Sequence, residues 1–200
     1  MSTTPGAPAG WYPDATNGNR LRYWDGVRWT EHFAAPEAAA LAAPAGTDPN
    51  TPWIWLHLAM PLIASIPNLF IDWGSLVTID PENPQAMLDR QLAVYSSPAY
   101  IISVVLPFLT YAAGVVFAFL DFRTLERRGV PRPFHWAFAF IPYYVYPIGR
   151  GIVAKRRTGR GIASTYVAIG LIVLGLVLGI VFAVVIFSAI FSQIPTTTTF

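Results

Sequence analysis

Charged side chains almost disappear from this chain after residue 52. Residues 53–71, 91–120 and 161–200 contain no Asp, Glu, Lys or Arg. An apolar run of 18 or more residues without charge is typical of a helix that crosses a lipid bilayer. The sequence therefore predicts an integral membrane protein whose fold is an all-α membrane bundle with three or four transmembrane helices.

Composition narrows the function classes further. Only 12% of the 200 residues are charged, whereas a soluble globular chain has about 25%. The chain has no cysteine, which excludes disulfides, thiol catalysis and thiolate metal sites. Residues 1–10 carry no basic residue and no apolar run, so they are not expected to be a cleavable signal peptide.

The chain divides into five parts by composition. We expect residues 1–9 to be a disordered tail, 10–33 a compact aromatic module, and 34–52 an extended, semi-rigid Ala/Pro linker. Residues 53–194 form the predicted membrane domain, and 195–200 are a Thr-rich tail.

The aromatic module has the pattern of a β-hairpin. Asp25-Gly26 lies between two β-prone runs, 20–24 and 27–33. An Asp-Gly pair in that position favours a type I′ turn, in which both central residues need positive φ. Asn17-Gly18 predicts a second turn earlier in the module.

The module is expected to depend on packing between its aromatic side chains, because about 24 residues cannot form an ordinary hydrophobic core. One interpretation is a mini-core in which the aromatic rings, Phe33 included, clamp together over Pro13. The other is a groove for a proline-rich peptide, which the chain's own Ala/Pro linker would also fit. The residues predicted to contact such a peptide or protein partner are Trp11, Tyr12, Tyr23, Trp24 and Trp29.

The spacing of these aromatics resembles a known family. The chain has GWYPD at 10–14, RYWDG at 22–26 and WT at 29–30. This pattern is similar to a short domain of unknown function whose usual form is GWYPDP followed by RYWDGxxWT; here Ala15 replaces the second proline. The resemblance implies a cytoplasmic, membrane-tethered module of a kind widespread in actinobacterial membrane proteins, and it implies no activity.

Four segments are predicted to lie in the membrane. They cover residues 53–72, 98–120, 134–149 and 162–191. Pro61, Pro67 and Pro107 fall inside the first two and predict kinks. Between those two, Asn83-Pro84 predicts the start of a short amphipathic helix on the outer surface, packed against the bundle or free for an external contact.

Loop charges predict the orientation. Basic residues dominate 121–132 and 150–160, whereas 72–90 is acidic. Basic loops stay in the cytoplasm, so we expect a multi-pass plasma-membrane protein with its N-terminal module inside. Segment 134–149 is short and rich in proline and aromatics, which favours a re-entrant or interfacial piece over a fourth full crossing.

The basic loops predict contact with the lipid bilayer beyond setting its topology. Each basic side chain near an anionic leaflet contributes roughly 1 kcal/mol of binding free energy. Nucleic-acid binding is not expected, because the sequence has no separate basic domain. The alternative is that these charges only fix the orientation. The predicted anionic-lipid contacts are Arg123, Arg127, Arg128, Arg132, Arg150, Lys155, Arg156, Arg157 and Arg160.

Polar and small residues within the apolar segments suggest further interactions. His57, one turn into the first segment, is expected at the membrane interface. Asp121 closes the second segment and is expected to pair with Arg123 or Arg127. In the last segment, small residues spaced by four predict close helix packing, within one chain or in a homo-oligomer. They are Gly175, Gly179 and Ala183.

The sequence contains no paired carboxylates, no HExxH-type spacing and no Ser/His/Asp grouping that would support catalysis. It therefore predicts no catalytic, cofactor-binding or metal-binding residues, and a protein that is not an enzyme. The leading hypothesis is a non-enzymatic envelope scaffold or interaction protein. The alternative is a channel or transporter component, with the proline-broken first and third segments lining a path.

Overall fold

The structure, a computed structural model, describes residues 7–18, 20–36, 41–78 and 82–193. Residues 1–6 of the predicted N-terminal tail, part of the linker and the Thr-rich tail lie outside the described residues. Within them, a small N-terminal antiparallel sheet precedes a mostly helical remainder. The prediction of a helical fold with a small β module is confirmed at that level.

The N-terminal sheet has three strands in the order β1-β2-β3, each antiparallel to its neighbour. The module is thus two hairpins in series, where the sequence suggested one. The strands are β1, Gly10–Pro13; β2, Leu21–Trp24; and β3, Trp29–Ala34.

The turn between β2 and β3 differs from the predicted type I′ turn. Gly26 has a φ of 98°, but Asp25 does not have positive φ, and four residues separate the strands. The Asp25 carboxylate accepts hydrogen bonds from the backbone N–H groups of Val27 at 2.8 Å and Arg28 at 2.7 Å. An Asp side chain can stabilise a loop through such bonds, so the longer, side-chain-capped turn replaces the two-residue one.

The turn between β1 and β2 is organised by a second aspartate. The Asp14 carboxylate accepts the Thr16 backbone N–H at 3.0 Å and the Thr16 hydroxyl at 2.8 Å, and it pairs with the Arg20 guanidinium. Among the described residues of the module, Asp14 alone is buried. Polar contacts in the turns therefore contribute what a hydrophobic core would contribute in a larger domain.

Six α-helices and two 3₁₀ helices follow the module within the described residues. Three of these segments are long and apolar enough to cross a membrane: Pro52–Phe70, Pro98–Arg127 and Ala163–Phe191. This is consistent with the predicted membrane protein. The α-helices are α1, Pro52–Ser65; α2, Trp73–Val77; α3, Pro84–Tyr95; α4, Pro98–Arg127; α5, Val145–Thr158; and α6, Ala163–Phe191.

Proline and its neighbours set the limits of the first helix. Pro52 lies in its first turn, where a missing N–H costs nothing, and the Thr51 side chain accepts the Ile54 N–H at 3.4 Å. Pro61 is accommodated within α1. At Ile66–Phe70, which contains Pro67, the backbone tightens into a 3₁₀ helix.

The predicted segment 134–149 is not one continuous helix. It consists of a 3₁₀ helix, Trp136–Phe140, an irregular stretch around Pro142, and the start of α5. Pro147 falls in the first turn of α5, where it is tolerated. This segment is absent from the three candidate spans among the described residues.

The helical core joins four helices at one end of the bundle. Ile54 and Leu58 of α1 pack with Ala118 of α4, Tyr146 of α5 and Ala168 of α6. Close approach there requires small residues. A Cβ atom at Gly114 would lie 2.7 Å from the Tyr143 hydroxyl, and one at Gly151 would overlap the Thr165 hydroxyl.

Helix α6 is buried only in its first turns, although Phe182 further along still packs against Trp73 of α2, with ring centroids 5.8 Å apart. Ser164, Thr165 and Ala168 are buried against its neighbours, whereas Gly175, Gly179 and Ala183 are exposed. A Cβ atom at Gly175 or Gly179 would meet nothing within 4 Å. The prediction that these small residues pack within the chain is therefore wrong for the described residues, and packing between two copies stays a prediction.

Helix α3 begins where the sequence predicts. The Asn83 side chain accepts the Ala86 N–H at 3.1 Å, and Pro84 is the first helical residue. Its apolar residues Leu88, Leu92 and Tyr95 are all about half exposed. Tyr95 packs against Tyr100 of α4, with ring centroids 5.1 Å apart, so this face contacts the bundle in part. Half-exposed apolar side chains are also typical of an amphipathic helix on a membrane surface.

Acid should weaken the aromatic module through its two turn aspartates. The Thr16 backbone N–H and the Arg20 guanidinium lower the pKa of Asp14 from 3.8 to about 2. The pKa of Asp25 is also lowered, chiefly by the Arg28 backbone N–H. A carboxylate with a depressed pKa stabilises the fold fully above its unfolded pKa. Its contribution is lost as pH falls through the folded pKa, so we expect the module to lose stability from about pH 4 to pH 2.

The measurement is a urea midpoint for the full chain in detergent micelles at pH 5, 4, 3 and 2. Asp14→Asn should lower the midpoint at pH 5 and flatten the pH dependence, and adding Asp25→Asn should remove the rest. An unchanged midpoint from pH 5 to pH 2 in the natural chain would contradict the expectation. The midpoint is followed by the indole N–H NMR signals of Trp11, Trp24 and Trp29.

Candidate functional site

The predicted aromatic contact residues do not form one cluster. Trp11 and Tyr23 are partners in the β1–β2 register, and Tyr12 follows Trp11 along β1. Successive side chains in a strand point to opposite faces, so Trp11 and Tyr23 lie on one face of the sheet. Tyr12 and Trp24 lie on the other. The predicted clamp over Pro13 is wrong, because Pro13 is exposed at the end of its strand.

One face of the sheet, here called the Trp24 face, carries the rings of Tyr12, Trp24 and Trp29, and Arg22 lies on it as the register partner of Tyr12. Trp29 packs edge-on against both other rings, with centroid distances of 5.9 Å to Tyr12 and 5.3 Å to Trp24. The Trp24 indole Nε1 donates to the Ala7 carbonyl at 3.1 Å, and the Tyr12 hydroxyl donates to the Pro8 carbonyl at 2.8 Å. This face therefore already holds a short piece of backbone.

The opposite face, here called the Trp11 groove, contains Trp11 and Tyr23. Trp11 and Tyr23 pack edge-to-face at 5.2 Å. Together with Glu31, His32 and Phe33 they line a shallow groove of about 510 Å³. The Glu31 carboxylate is not free, because it pairs with the Arg22 guanidinium, Nη2 to Oε1 at 2.6 Å.

The second half of the predicted linker is not a free, extended spacer. The Ala43 N–H donates to the Arg157 carbonyl at 2.8 Å. The Arg128 guanidinium donates to the carbonyls of Asp48 at 2.7 Å and Asn50 at 2.6 Å. Backbone carbonyls are good acceptors for the charged guanidinium of arginine, and these hydrogen bonds attach this part of the linker to the basic end of the bundle.

Arg150 completes this attachment, here called the linker clamp, from inside the bundle. Its Nη2 donates to the Pro49 carbonyl at 2.5 Å, and Pro49 is buried. Arg128 acts from the outside and Arg150 from the inside. Residues 48–51 are therefore held between α4 and α5.

Asp121 is the anion at the centre of the clamp. It pairs with Arg150, with Nε to Oδ2 at 2.8 Å and Nη2 to Oδ1 at 2.9 Å. The Tyr146 hydroxyl donates to Oδ2 at 2.8 Å, and the Thr51 hydroxyl donates to Oδ1. The exposed fractions of the Asp121 and Arg150 side chains are 0% and 1%.

The prediction that Asp121 pairs with Arg123 or Arg127 is therefore wrong, because its partner is Arg150. Arg123 instead forms an exposed pair with Glu126 at 3.6 Å, and Arg127 is exposed. Asp121 faces the interior of the bundle, which residues two and six positions further along α4 do not reach. A buried carboxylate needs a buried cation and further donors, and α5 supplies them.

The prediction that Arg150 contacts lipid is also wrong, because the Arg150 side chain is buried. Arg128 is exposed but donates to the linker, and Arg157 is only partly exposed. Six of the nine predicted residues keep the exposure that contact with headgroups needs. They are Arg123, Arg127, Arg132, Lys155, Arg156 and Arg160.

His57 lies in the core rather than at the predicted interfacial position. Its exposed fraction is 0%, and its ring stacks on Tyr143 with centroids 4.3 Å apart and planes 9° apart. Nδ1 lies 2.9 Å from the Gly114 carbonyl, and Nε2 lies 3.4 Å from the Tyr143 carbonyl. His57 therefore joins α1 to α4 and to the irregular segment.

Across the described residues, no three His, Asp or Glu side chains form a group that could hold a metal ion.

Thr51, Tyr146 and Pro49 are clamp residues that the sequence reasoning missed. One signal was present, because Tyr146 and Arg150 are four apart and therefore share a face of α5. An aspartate at the end of an uncharged run is a second signal, since it requires a partner within the fold. That the partner comes from α5 and not from α4 depends on tertiary packing.

The N-terminal module is similar to a known family of domains. Residues 9–42 match a family model described as Protein of unknown function (DUF2510). The match covers the three-stranded sheet and part of the linker. No curated protein and no solved structure matches the chain. The N-terminal module thus corresponds to a domain of unknown function, as its aromatic spacing suggested.

Loss of Arg150 should destabilise the helical part strongly. Arg150→Met leaves the Asp121 carboxylate buried without its cation, which costs about 3–5 kcal/mol in comparable buried pairs. The matched change Arg123→Met removes an exposed pair and should cost at most about 1 kcal/mol. Chemical unfolding of both variants in detergent micelles tests this.

The double variant Asp121→Leu, Arg150→Met serves as the control for the charge itself. It should recover a large part of the stability that Arg150→Met loses, because neither charge is then buried. Equal unfolding free energies for Arg150→Met and Arg123→Met would contradict a central role for the pair.

Proposed function

We propose that the protein is a non-enzymatic scaffold or interaction protein of the plasma membrane. Three helices anchor it, the aromatic module contacts a protein partner in the cytoplasm, and the exposed basic residues contact anionic lipid headgroups. The observation that carries the proposal is the module's construction. Its aromatic rings cover two faces of a sheet, and among the described residues of the module only Asp14, in a turn, is buried.

Partly exposed aromatic rings on a small scaffold suit protein contact. Trp29 is 41% exposed and Phe33 is 39% exposed. Tyr and Trp combine apolar area with a hydrogen-bonding group, and they are enriched at the energetic centres of interfaces. A sheet with such residues on both faces has more contact surface than its own stability uses.

The Asp121–Arg150 pair supports the proposed topology. Both residues flank segment 134–149, and their direct contact at 2.8 Å keeps the two basic loops at the same end of the bundle. A full crossing by that segment would separate them by the thickness of a bilayer, about 30 Å. The basic loops then share the cytoplasmic side, and three crossings leave the C-terminus outside.

The linker clamp supports a cytoplasmic position for the module. Asp48 and Asn50 accept hydrogen bonds from Arg128, and Pro49 accepts one from Arg150. The chain between module and first helix is therefore attached at the basic end. Whichever side of the membrane holds the basic loops also holds the module.

The channel or transporter alternative gains less support. It would use His57 as a residue lining a path, yet both ring nitrogens of His57 face backbone carbonyls and the ring is stacked on Tyr143. That arrangement favours a packing role for His57. A membrane-anchored interaction protein remains the better proposal.

Cysteine labelling tests the topology directly, because the natural chain has no cysteine. Four single variants are compared in intact cells with a membrane-impermeant maleimide: Val27→Cys, Arg156→Cys, Gln85→Cys and Thr196→Cys. We expect labelling of Gln85→Cys and Thr196→Cys only. Labelling of Val27→Cys before lysis would contradict the cytoplasmic module, and protection of Thr196→Cys would contradict the three-span arrangement.

Affinity purification of the full chain in mild detergent tests the interaction role. A partner that co-purifies with the natural chain should be lost on Trp29→Ala, because this ring is at the exposed edge of the Trp24 face. Trp55→Ala is the matched control, since Trp55 is 38% exposed but lies on α1 in the membrane domain. Purification of the chain alone as a folded monomer, or equal loss in both variants, would contradict the proposal.

A further inference from the structure

The Trp24 face already displays the contacts that recognise an extended peptide. Two consecutive carbonyls, those of Ala7 and Pro8, accept hydrogen bonds from the Trp24 indole and the Tyr12 hydroxyl at 3.1 and 2.8 Å. We propose that this face is a binding site for an extended, proline-containing segment of a partner protein, and that Ala7–Pro8 occupies it in cis. The inference rests on the proposed protein-contact function and names its ligand class.

The two donors suit the polyproline II conformation. That conformation makes no internal hydrogen bonds, so its carbonyls project outwards and accept bonds from a partner. Aromatic grooves that bind such segments use the preformed backbone, which lowers the entropy cost of binding. Recognition through carbonyls tolerates different side chains, whereas a proline such as Pro8 contributes the preformed φ.

The aromatic surface extends beyond the two residues that it now holds. Trp29 packs against both Tyr12 and Trp24 and is still 41% exposed. A segment longer than Ala7–Pro8 can therefore add contacts with the Trp29 ring without moving the two donors. A longer segment would bury more of the aromatic surface than Ala7–Pro8 does, and this additional contact area would allow a partner to displace the cis segment.

The chain's own sequence repeats the motif, but the second copy is engaged elsewhere. Ala-Pro-Ala-Gly occurs at 7–10 and again at 43–46. In the second copy the Ala43 N–H donates to the Arg157 carbonyl at 2.8 Å. A Cβ atom at Gly129 would lie 3.2 Å from Pro44 Cγ, so the Pro44 ring lies close against Gly129. Both copies are thus bound within their own chain, which favours a segment of another protein as the occupant.

The cis segment should act as a competitor. Ala7 and Pro8 precede strand β1 by only a few residues, and a short tether gives an effective concentration in the millimolar range. A partner must compete with this concentration, so the full chain should bind weakly and a chain without residues 2–8 should bind more tightly.

Peptide titration of the full chain in lipid nanodiscs tests this. The probe is a fluorescein-labelled peptide with two Ala-Pro-Ala-Gly units, and the control peptide has alanine in place of both prolines. Deletion of residues 2–8 should tighten binding of the probe about tenfold, because the tethered competitor is gone. The control peptide should bind the deletion variant several times more weakly than the probe does.

Conservative substitutions in the deletion variant identify the site. Trp24→Phe and Tyr12→Phe keep an aromatic ring and remove one donor, so each should weaken probe binding by roughly three- to tenfold. Trp11→Phe, in the Trp11 groove, is the matched control and should change the affinity less than twofold. The Trp29 indole NMR signal reports that the sheet remains folded in each variant.

Three results would overturn the inference: no probe binding by the folded deletion variant at millimolar peptide, equal binding of probe and control peptide, or unchanged binding after both Trp24→Phe and Tyr12→Phe. Self-association of the deletion variant that the probe abolishes would make a second copy the occupant instead. If a partner still co-purifies and depends on Trp29 while the probe does not bind, this inference fails and the proposed function stands. If the probe binds but no partner co-purifies with the natural chain, the peptide-binding inference stands and the proposed interaction function fails.

Discussion

Asp121 and Arg150 lie inside the protein, and neither charge could remain there without the other, because an isolated buried charge is strongly destabilising. Their contact joins the end of α4 to α5. Tyr146 and Thr51 donate the remaining hydrogen bonds to the carboxylate. One ion pair thus holds together two helices, the start of a third and the residues before it.

The position of this pair also connects the two parts of the chain. Arg150 reaches the Pro49 carbonyl from within, and Arg128 reaches Asp48 and Asn50 from outside. The module is therefore attached through a segment with a defined place on the bundle. Under the proposed topology, a partner bound to the module would be held close to the exposed basic residues and to the membrane surface.

Local signals in the sequence predicted a large part of this fold. The apolar runs and the helix starts at Pro84 and Pro98 follow from residues close together in the chain, as does the small β module. The first helix begins at Pro52, one residue before the predicted segment. The partner of Asp121 and the core position of His57 did not follow, because each depends on packing between distant segments. Strand alternation places Tyr23 and Trp24 on opposite faces from the sequence alone. The rings that join them from the neighbouring strands depend on the register of all three strands, which a single hairpin with a two-residue turn did not include.

The shortage of buried apolar surface in the module has a thermal consequence. Exposure of apolar area is the main source of the heat-capacity increase on unfolding, and among the described residues of the module only Asp14, in a turn, is buried. The module should therefore have a flat stability curve and melt over a broad temperature interval. The helical part, with Ile54, Leu58 and Tyr146 in its core, should melt separately from it and more sharply.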